Sequence, residues 1–156
     1  MDEADIQIPL SPEIAKRVAT SSPLGLDLGF TLVRIERARA LVAVDYQEKL
    51  IGNPLTRVVH GGVVTALLDH ASAVAVIAAL DAPTSIATLD MRIDYMRAAD
   101  PGRRIIGDAT CFKVTRSIAF IRGTAYHDAA EDPIATVMCT YMLASDGGRQ
   151  AGANLK

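Results

Sequence analysis

The sequence predicts an α+β fold in which one antiparallel β-sheet of about five to six strands wraps around one long central α-helix. Two observations support this prediction. Residues 59–80 have helical spacing with apolar side chains on every side, which is typical of a helix that is buried all round. The segments before and after it resemble short β-strands separated by turns, and a single sheet is the simplest element that can cover such a helix.

The central helix contains three features that are unusual in a buried segment. His60 and the pair Gly61 and Gly62 lie at its start, and Asp69 and His70 interrupt its apolar middle. A carboxylate in the centre of a buried helix is costly unless it is paired or has a function. We therefore expect the chemistry of the protein to lie along this helix.

The N-terminal segment, residues 1–24, is predicted to contain one short helix. Ser11 is a suitable N-cap and Pro12 a suitable first helical residue. We expect this helix to end in a turn at residues 21–23, where two serines precede a proline.

A β-hairpin and a loop are predicted next. Residues 29–35 and 40–46 carry β-forming side chains on both sides of a charged bend, which indicates two paired strands. Residues 47–58 contain Gly52-Asn53-Pro54 and are predicted to be the loop that leads into the central helix.

Four further strands are predicted after the helix, at residues 84–96, 105–114, 118–126 and 134–143. The first of these alternates regularly, so strict alternation assigns its side chains to two faces. One face is predicted to carry Leu89, Met91, Ile93 and Tyr95, and the other Thr88, Asp90, Arg92 and Asp94. Residues 25–144 are then a single domain, and the glycine-rich residues 145–156 are expected to be a flexible tail.

The amino-acid composition is that of an ordinary soluble protein, and the low net charge argues against partners that bind basic surfaces. The 156 residues carry a formal net charge of −2, so we expect neither nucleic acid nor a membrane as a partner. The N-terminal M-D-E-A-D lacks the apolar run of a signal peptide, and Asp69 and His70 break the longest apolar run. A cytoplasmic location is the expectation.

Cysteine and histidine usage predicts neither a disulfide nor a metal centre. Cys111 and Cys139 lie in apolar, strand-like segments and are expected to be reduced, packed thiols. The three histidines, His60, His70 and His127, do not form a cluster with metal-ligand spacing.

The loop and helix share the motif N-P-L-T-R-V-V-H-G-G-V-V-T-A-L-L-D-H-A, which resembles the hotdog-fold acyl-CoA thioesterases of the phenylacetate-pathway (PaaI-like) type. The family pattern has an asparagine, a short spacer, His-Gly-Gly and an aspartate nine residues after the histidine, which corresponds here to Asn53, His60 and Asp69. Two later segments, T-L-D-M-R-I-D-Y-M-R (88–97) and R-S-I-A-F (116–120), also resemble family segments. Arg57 stands where the family pattern leads us to expect glycine.

The resemblance implies hydrolysis of an acyl-CoA thioester, with CoA as part of the substrate and no separate cofactor. The first turn of a helix has free backbone N–H groups, and glycine lets a carbonyl approach closely, so Gly61 (with Gly62 as a second donor) is predicted to stabilise the oxyanion. The alternative is that both glycines only allow a tight entry from the loop into the helix. Asp69 is predicted to act as a general base or as a nucleophile, and the sequence does not choose between these. A buried, structurally paired carboxylate is the alternative for Asp69.

One chain cannot bring these two groups to the same carbonyl. Gly61 and Asp69 are eight residues apart, which is about 12 Å along a helix. Two antiparallel helices across a two-fold axis would bring Gly61 of one subunit to Asp69 of the other. Hotdog relatives are dimers or larger, so we expect a homodimer or a homotetramer built from hotdog dimers.

The remaining candidate residues have a functional and a plain structural interpretation. Thr88 could hold the attacking water or be an ordinary strand residue. Asn53 could orient water or polarise the carbonyl, or could only shape a turn. His60 is expected to position the loop rather than transfer protons. His70 lies about 100° around the helix from Asp69 and is expected to be structural or an interface residue.

The phosphates of CoA predict a basic surface on the protein. Four arginines in the second half of the chain are candidates to bind them, and Arg116, in a predicted turn, is the foremost. The candidates are Arg97, Arg103, Arg104 and Arg116. Solvated strand faces can show the same excess of arginine.

Two other functions are compatible with the same fold class. A non-catalytic acyl-CoA sensor would predict loss of the helix carboxylate and presence of a DNA-binding segment, whereas Asp69 is present and the segment before residue 25 is too short for a helix-turn-helix domain. A hotdog hydratase or dehydratase would need a different loop-and-helix motif, which this sequence lacks. Composition leaves the length of the acyl group open.

Overall fold

A six-stranded antiparallel sheet curves around one long helix in the computed structural model, which describes residues 21–144. The helix contacts every strand of the sheet. The predicted fold class is thereby confirmed. The short helix predicted from Ser11 and the tail predicted over residues 145–156 lie outside the described residues.

The elements follow the predicted order, and all six predicted strands are present. The helices are α1 (Pro23–Leu28) and α2 (Gly61–Ala79), and a 3₁₀ turn covers Glu48–Leu50. The strands are β1 (Phe30–Glu36), β2 (Arg39–Val44), β3 (Ile86–Tyr95), β4 (Ile105–Val114), β5 (Ile118–Tyr126) and β6 (Ala135–Leu143). The spatial order β1-β2-β4-β5-β6-β3 makes β1 and β3 the two edges of the sheet.

The prediction of a turn at residues 21–23 is wrong, because these residues begin a helix. The hydroxyl of Ser22 accepts the N–H of Gly25 at 3.2 Å, and Pro23 occupies the first helical position of α1. The helix ends at Gly29, whose φ of +79° is the left-handed conformation that glycine adopts readily. Serine before proline is common both at the start of a helix and in a turn, and in this structure it starts a helix.

The core lies between α2 and the concave side of the sheet. Leu67, Leu68 and Val74 are completely buried there. The strands approach the helix closely, since a Cβ at Gly107 of β4 would come within 3.0 Å of the Leu67 side chain. A large side chain at position 107 would therefore push the strand away from the helix.

The sheet does not cover α2 completely. Gly62, Ala66, Asp69 and Ala73 form a stripe at helical spacing that is half-buried or exposed in the single chain. By length and mean hydropathy (1.7) α2 could cross a membrane, but 56% of that stretch is buried in this fold. The core helices of globular domains meet the same two criteria.

A β-bulge in β3 changes which side chains face the helix. The pairing of β3 with β6 shifts between Thr88 and Asp90, so Leu89 is an extra residue and is 54% exposed. Thr88 reaches α2 instead, while Met91 and Ile93 still pack against the core. Strict alternation therefore assigned Leu89 and Thr88 to the wrong faces, because it assumes an uninterrupted ladder.

Both cysteines are free and buried on the helix-facing side of the sheet. Cys111 of β4 and Cys139 of β6 are each paired with Ile121 of β5, which lies between them. Burial raises the pKa of both thiols above the ordinary value. They pack as small apolar side chains, as predicted.

Candidate functional site

The loop before α2 is a short hairpin that fixes where the helix begins. Its two arms are joined by a bridge between Ile51 and Val59 and by a hydrogen bond from the N–H of His60 to the carbonyl of Leu50, at 2.8 Å. The arms are so close that a Cβ at Gly52 would lie 2.7 Å from the Cα of His60. Glycine at position 52 is therefore required by the close approach of two backbones.

Asn53 shapes the tip of this hairpin. Its side-chain oxygen accepts the N–H of Leu55 at 2.9 Å and that of Thr56 at 3.4 Å. This geometry is an Asx turn, and it occupies the oxygen that was a candidate for polarising the substrate carbonyl. Of the two interpretations of Asn53, the geometry favours the turn.

Arg57 has the backbone conformation that glycine would adopt without strain. Its φ is +61°, and its N–H donates to the carbonyl of Asn53 at 2.7 Å. The hydroxyl of Tyr46 donates to the carbonyl of Arg57 at 2.9 Å, and the guanidinium pairs with Glu48. Arg57 thus adopts the left-handed backbone conformation that the expected glycine would adopt at this position.

His60 caps the N-terminus of α2. Its Nδ1 accepts the N–H of Gly62 at 2.8 Å, so this nitrogen carries no proton. A Cβ at Gly62 would lie 2.9 Å from the same nitrogen, which explains the second glycine. His60 therefore holds the start of the helix.

The cap occupies one of the two predicted oxyanion donors and leaves the other free. The N–H of Gly62 is occupied by His60, so Gly62 is not available to a substrate oxygen in this structure. Within residues 21–144 the N–H of Gly61 makes no hydrogen bond, because it lies in the first turn of the helix. Gly61 is thus the donor that remains, at the positive end of the helix dipole.

A cleft of ≈ 340 Å³ opens beside Gly61. The hydroxyl of Tyr95 donates to the carbonyl of Gly61 at 2.7 Å and lies 2.5 Å from the hydroxyl of Thr65. Most of the residues around the cleft are of apolar type, and Arg97 is the cationic residue among them. The apolar side chains include those of Val59, Val64, Met96, Ala99 and Ile134.

Two hydroxyl groups converge on one oxygen of the Asp69 carboxylate. Thr88 of β3 donates to Oδ1 at 3.0 Å, and Tyr141 of β6 donates to the same atom at 2.6 Å. The Tyr141 hydroxyl is also 2.8 Å from the backbone carbonyl of Asp69. Within residues 21–144, the other oxygen, Oδ2, accepts no hydrogen bond from the protein.

Tyr141 is a site residue that the sequence prediction missed. It is only 2% exposed, and burial, together with the hydrogen bond to Asp69, raises the pKa of its hydroxyl. A signal was available, because alternation along β6 puts Tyr141 on the same buried face as Val137 and Cys139. A buried tyrosine hydroxyl almost always has a polar partner.

Three of the four arginines predicted to bind phosphate are paired with carboxylates. Arg97 pairs with Asp132 at 2.9 Å, and Arg104 pairs with Asp45 at 2.7 Å. Arg103 bridges Asp100, at 2.8 Å, and Asp128. Arg116, in the turn between β4 and β5, is exposed and forms no ion pair within the described part of the chain.

The two other histidines have partners elsewhere in the fold. His70 packs against the ring of Phe30, with 5.6 Å between ring centres. His127 is buried, accepts the N–H of Asp100 at 2.9 Å and lies 2.7 Å from the carbonyl of Arg104. Over residues 21–144, groups of three or more His, Cys, Asp or Glu side chains that could hold a metal ion are absent.

Comparison with known proteins points to one superfamily. A family model described as the thioesterase superfamily matches residues 57–133. The medium/long-chain acyl-CoA thioesterase YigI of Salmonella typhimurium is 27% identical over 136 residues, covering 78% of this chain and 85% of that protein.

Solved structures share the same fold. A Pseudomonas aeruginosa protein is 35% identical with a TM-score of 0.75, and the match covers 82% of this chain and 95% of that one. A variant of the phenylacetic acid degradation protein PaaI of Thermus thermophilus is 24% identical with a TM-score of 0.68, over 78% of this chain and 98% of that one. At that identity the second likeness concerns the fold alone.

The left-handed conformation of Arg57 gives a testable prediction for stability. We expect Arg57→Gly to be more stable than Arg57→Ala by about 1 kcal/mol, because a Cβ is strained at positive φ. Both variants lose the ion pair with Glu48, so its contribution cancels in the comparison. Urea denaturation of the two variants measures the difference, and an alanine variant that is equally or more stable would contradict the assignment.

Proposed function

The chain belongs to the thioesterase superfamily and is a thioester hydrolase, and we propose that it hydrolyses acyl-CoA to the free acid and CoA. The name of the Salmonella relative supports CoA as the leaving group and a medium or long acyl chain. The main support for this proposal is that α2 has, within residues 21–144, both an N–H without a hydrogen-bond acceptor, at Gly61, and a half-buried carboxylate, at Asp69.

Gly61 is proposed to stabilise the oxyanion. When a nucleophile adds to a thioester, negative charge develops on the carbonyl oxygen. A free N–H at the N-terminus of a long helix is a suitable donor for that oxygen, because the helix dipole favours negative charge there. The cleft beside Gly61, where most of the surrounding residues are of apolar type, is proposed to hold the acyl chain of the same substrate.

Asp69 is proposed to act on the carbonyl carbon in one of two ways. As a general base it removes a proton from water while the water oxygen attacks, and the tetrahedral intermediate then expels the CoA thiolate. As a nucleophile it forms a mixed anhydride and releases CoA, and water then hydrolyses the anhydride to regenerate the carboxylate. Both routes need the carboxylate ionised and an oxygen free to react.

A site shared by two subunits is part of the proposal. Gly61 and Asp69 are about 12 Å apart along α2, so one subunit cannot supply both groups to one carbonyl. The uncovered stripe on α2 consists of Asp69 and small residues, which permit the close approach of a second helix. The neighbouring edge strand β3 leaves its outer side unpaired within residues 21–144. Both features support a two-fold dimer with antiparallel helices.

Arg116 is proposed to bind a phosphate of CoA. A guanidinium that forms no ion pair with the protein can meet a phosphate without first losing a carboxylate partner. Arg97, Arg103 and Arg104 would each have to give up an ion pair. The pairing pattern thus supports Arg116 over the other three candidates.

The oxyanion proposal can be tested by deleting a single N–H. Proline is well tolerated at the first position of a helix, and His60 already has the extended conformation that precedes proline. Gly61→Pro should lower kcat by about 10²- to 10³-fold, whereas Gly61→Ala, which keeps the N–H, should retain most activity. Release of CoA thiol measures both. Equal rates for the two variants, with circular dichroism unchanged, would exclude Gly61 as the donor.

The role of Asp69 can be tested with a panel of short, medium, long and aryl acyl-CoAs. Asp69→Asn keeps the shape of the side chain and should lower kcat by at least about 10²-fold on whichever esters the wild type hydrolyses. Retained activity in a folded Asp69→Asn protein would contradict the proposed chemistry. Binding of acyl-CoA by the wild type without turnover would indicate the sensor function instead.

Mixed dimers extend this test to the shared site. Co-expressed Gly61→Pro and Asp69→Asn chains can form a dimer with one intact site, so activity should return. Lack of recovery in verified mixed dimers would mean that both groups act within one subunit.

The phosphate contact can be tested by comparing two thioesters of the same acyl group. Arg116→Ala should raise KM for acyl-CoA by about 10-fold or more, the effect of one charge-assisted hydrogen bond. It should leave KM unchanged for the N-acetylcysteamine thioester, which lacks the phosphates. Arg104→Ala is the matched control and should leave both KM values unchanged; the reverse pattern would assign the phosphate to Arg104.

A further inference from the structure

The two oxygens of the Asp69 carboxylate have different surroundings, and this difference has a consequence for the proposed reaction. Oδ1 accepts hydrogen bonds from Thr88 and Tyr141, whereas Oδ2 accepts none within residues 21–144. The donors come from two neighbouring strands, and Thr88 and Tyr141 are directly paired in the register of β3 and β6.

We propose that Tyr141 and Thr88 are positioning residues that fix Oδ1 of Asp69 and thereby make Oδ2 the atom that reacts. This inference rests on the proposed function. It replaces the water-holding role considered for Thr88 with a direct role on the carboxylate, and it gives Tyr141 a part in the reaction.

Tyr141 acts through Asp69 because it cannot reach the substrate. Its side chain is 2% exposed, and its hydroxyl lies 2.6 Å from Oδ1 and 2.8 Å from the backbone carbonyl of the same residue. Both of these contacts are made to Asp69, and the hydroxyl of Thr88, the other donor to this carboxylate, is within hydrogen-bonding reach of the same group. The raised pKa of the hydroxyl keeps it protonated, so that it remains a donor even in moderately alkaline solution.

The two hydrogen bonds restrict the rotation of the carboxylate. Turning the carboxylate out of this plane about the Cβ–Cγ bond would break both bonds and leave the buried Tyr141 hydroxyl with a poorer partner, whereas a half-turn only exchanges two equivalent oxygens and restores the same arrangement. The carboxylate is thus held in one orientation before substrate binds. Attack on a carbonyl carbon depends strongly on orientation, so a fixed Oδ2 increases the rate of the chemical step more than the affinity.

The β-bulge in β3 is what makes the arrangement possible. If Leu89 were instead part of a regular ladder, alternation back from Met91 would turn Thr88 away from α2, and only Tyr141 would donate to Asp69. The bulge is adjacent to the site, and bulges commonly reorient side chains beside active sites.

Removing either hydroxyl tests the inference. Tyr141→Phe and Thr88→Val should each lower kcat about 10-fold with KM within twofold of wild type, because orientation is lost and substrate contacts are kept. Thr88→Ser keeps a hydroxyl and should restore kcat. Tyr126→Phe removes the hydroxyl of another buried tyrosine, which makes no hydrogen bond to Asp69, and should leave kcat unchanged.

A double-mutant comparison separates positioning from general stability. In an Asp69→Asn background, adding Tyr141→Phe should cause no further loss of kcat, because Tyr141 acts only through the carboxylate. A further loss there, or an unchanged kcat in both single variants, would overturn the inference. Thr88 lies on an exposed edge strand, so Thr88→Val keeps the test valid even if Tyr141→Phe folds poorly.

The same assay distinguishes this inference from the proposed function. If Asp69→Asn is inactive and the two hydroxyl variants keep full kcat, Asp69 is catalytic and only the positioning role fails. If Asp69→Asn keeps full activity, the proposed function itself fails.

Discussion

Burial of an apolar helix is the constraint on which the rest of this structure depends. α2 has few polar side chains, so it must be surrounded, and the sheet surrounds it by curving around its length. Close approach requires small residues where strand and helix meet, of which Gly107 against Leu67 is the clearest case. The sheet covers the large apolar side chains of α2 and leaves uncovered the stripe that contains Asp69. The packing that forms the core therefore also determines which face of the helix is accessible.

Polar groups in such a helix need partners, and the structure supplies them from specific elements. The first turn is capped by His60, which satisfies the N–H of Gly62 and leaves that of Gly61 unoccupied. The carboxylate in the middle of the helix is held by hydroxyls from β3 and β6. The start of the helix is therefore positioned by the adjacent His60, and Asp69 is positioned by two residues that are distant from it in the chain.

The fold and the location of the candidate site follow from the sequence because they depend on local patterns. Helical spacing, strand alternation and the His60–Asp69 interval are all visible within short windows. Features that depend on strand register or on ion pairs between distant segments cannot be recognised within a short window of sequence. The bulge at Leu89 arises from the register between β3 and β6, and the carboxylate partners of Arg97, Arg103 and Arg104 come from other segments. At Ser22, the same residues suit a turn or a cap, and only the folded chain distinguishes them.

The loop between β3 and β4 forms one wall of the cleft, and it is tied down along its length. Arg97 is anchored to Asp132, and the N–H of Asp100 is anchored to the ring of the buried His127. A wall held by several long-range contacts has little freedom to open or close with its occupant. If the acyl chain binds in this cleft as proposed, selectivity for its length depends on the volume of the lining side chains and not on loop closure. A change of substrate range would therefore require substitutions in the wall, and the scaffold could keep its stability while its specificity evolved.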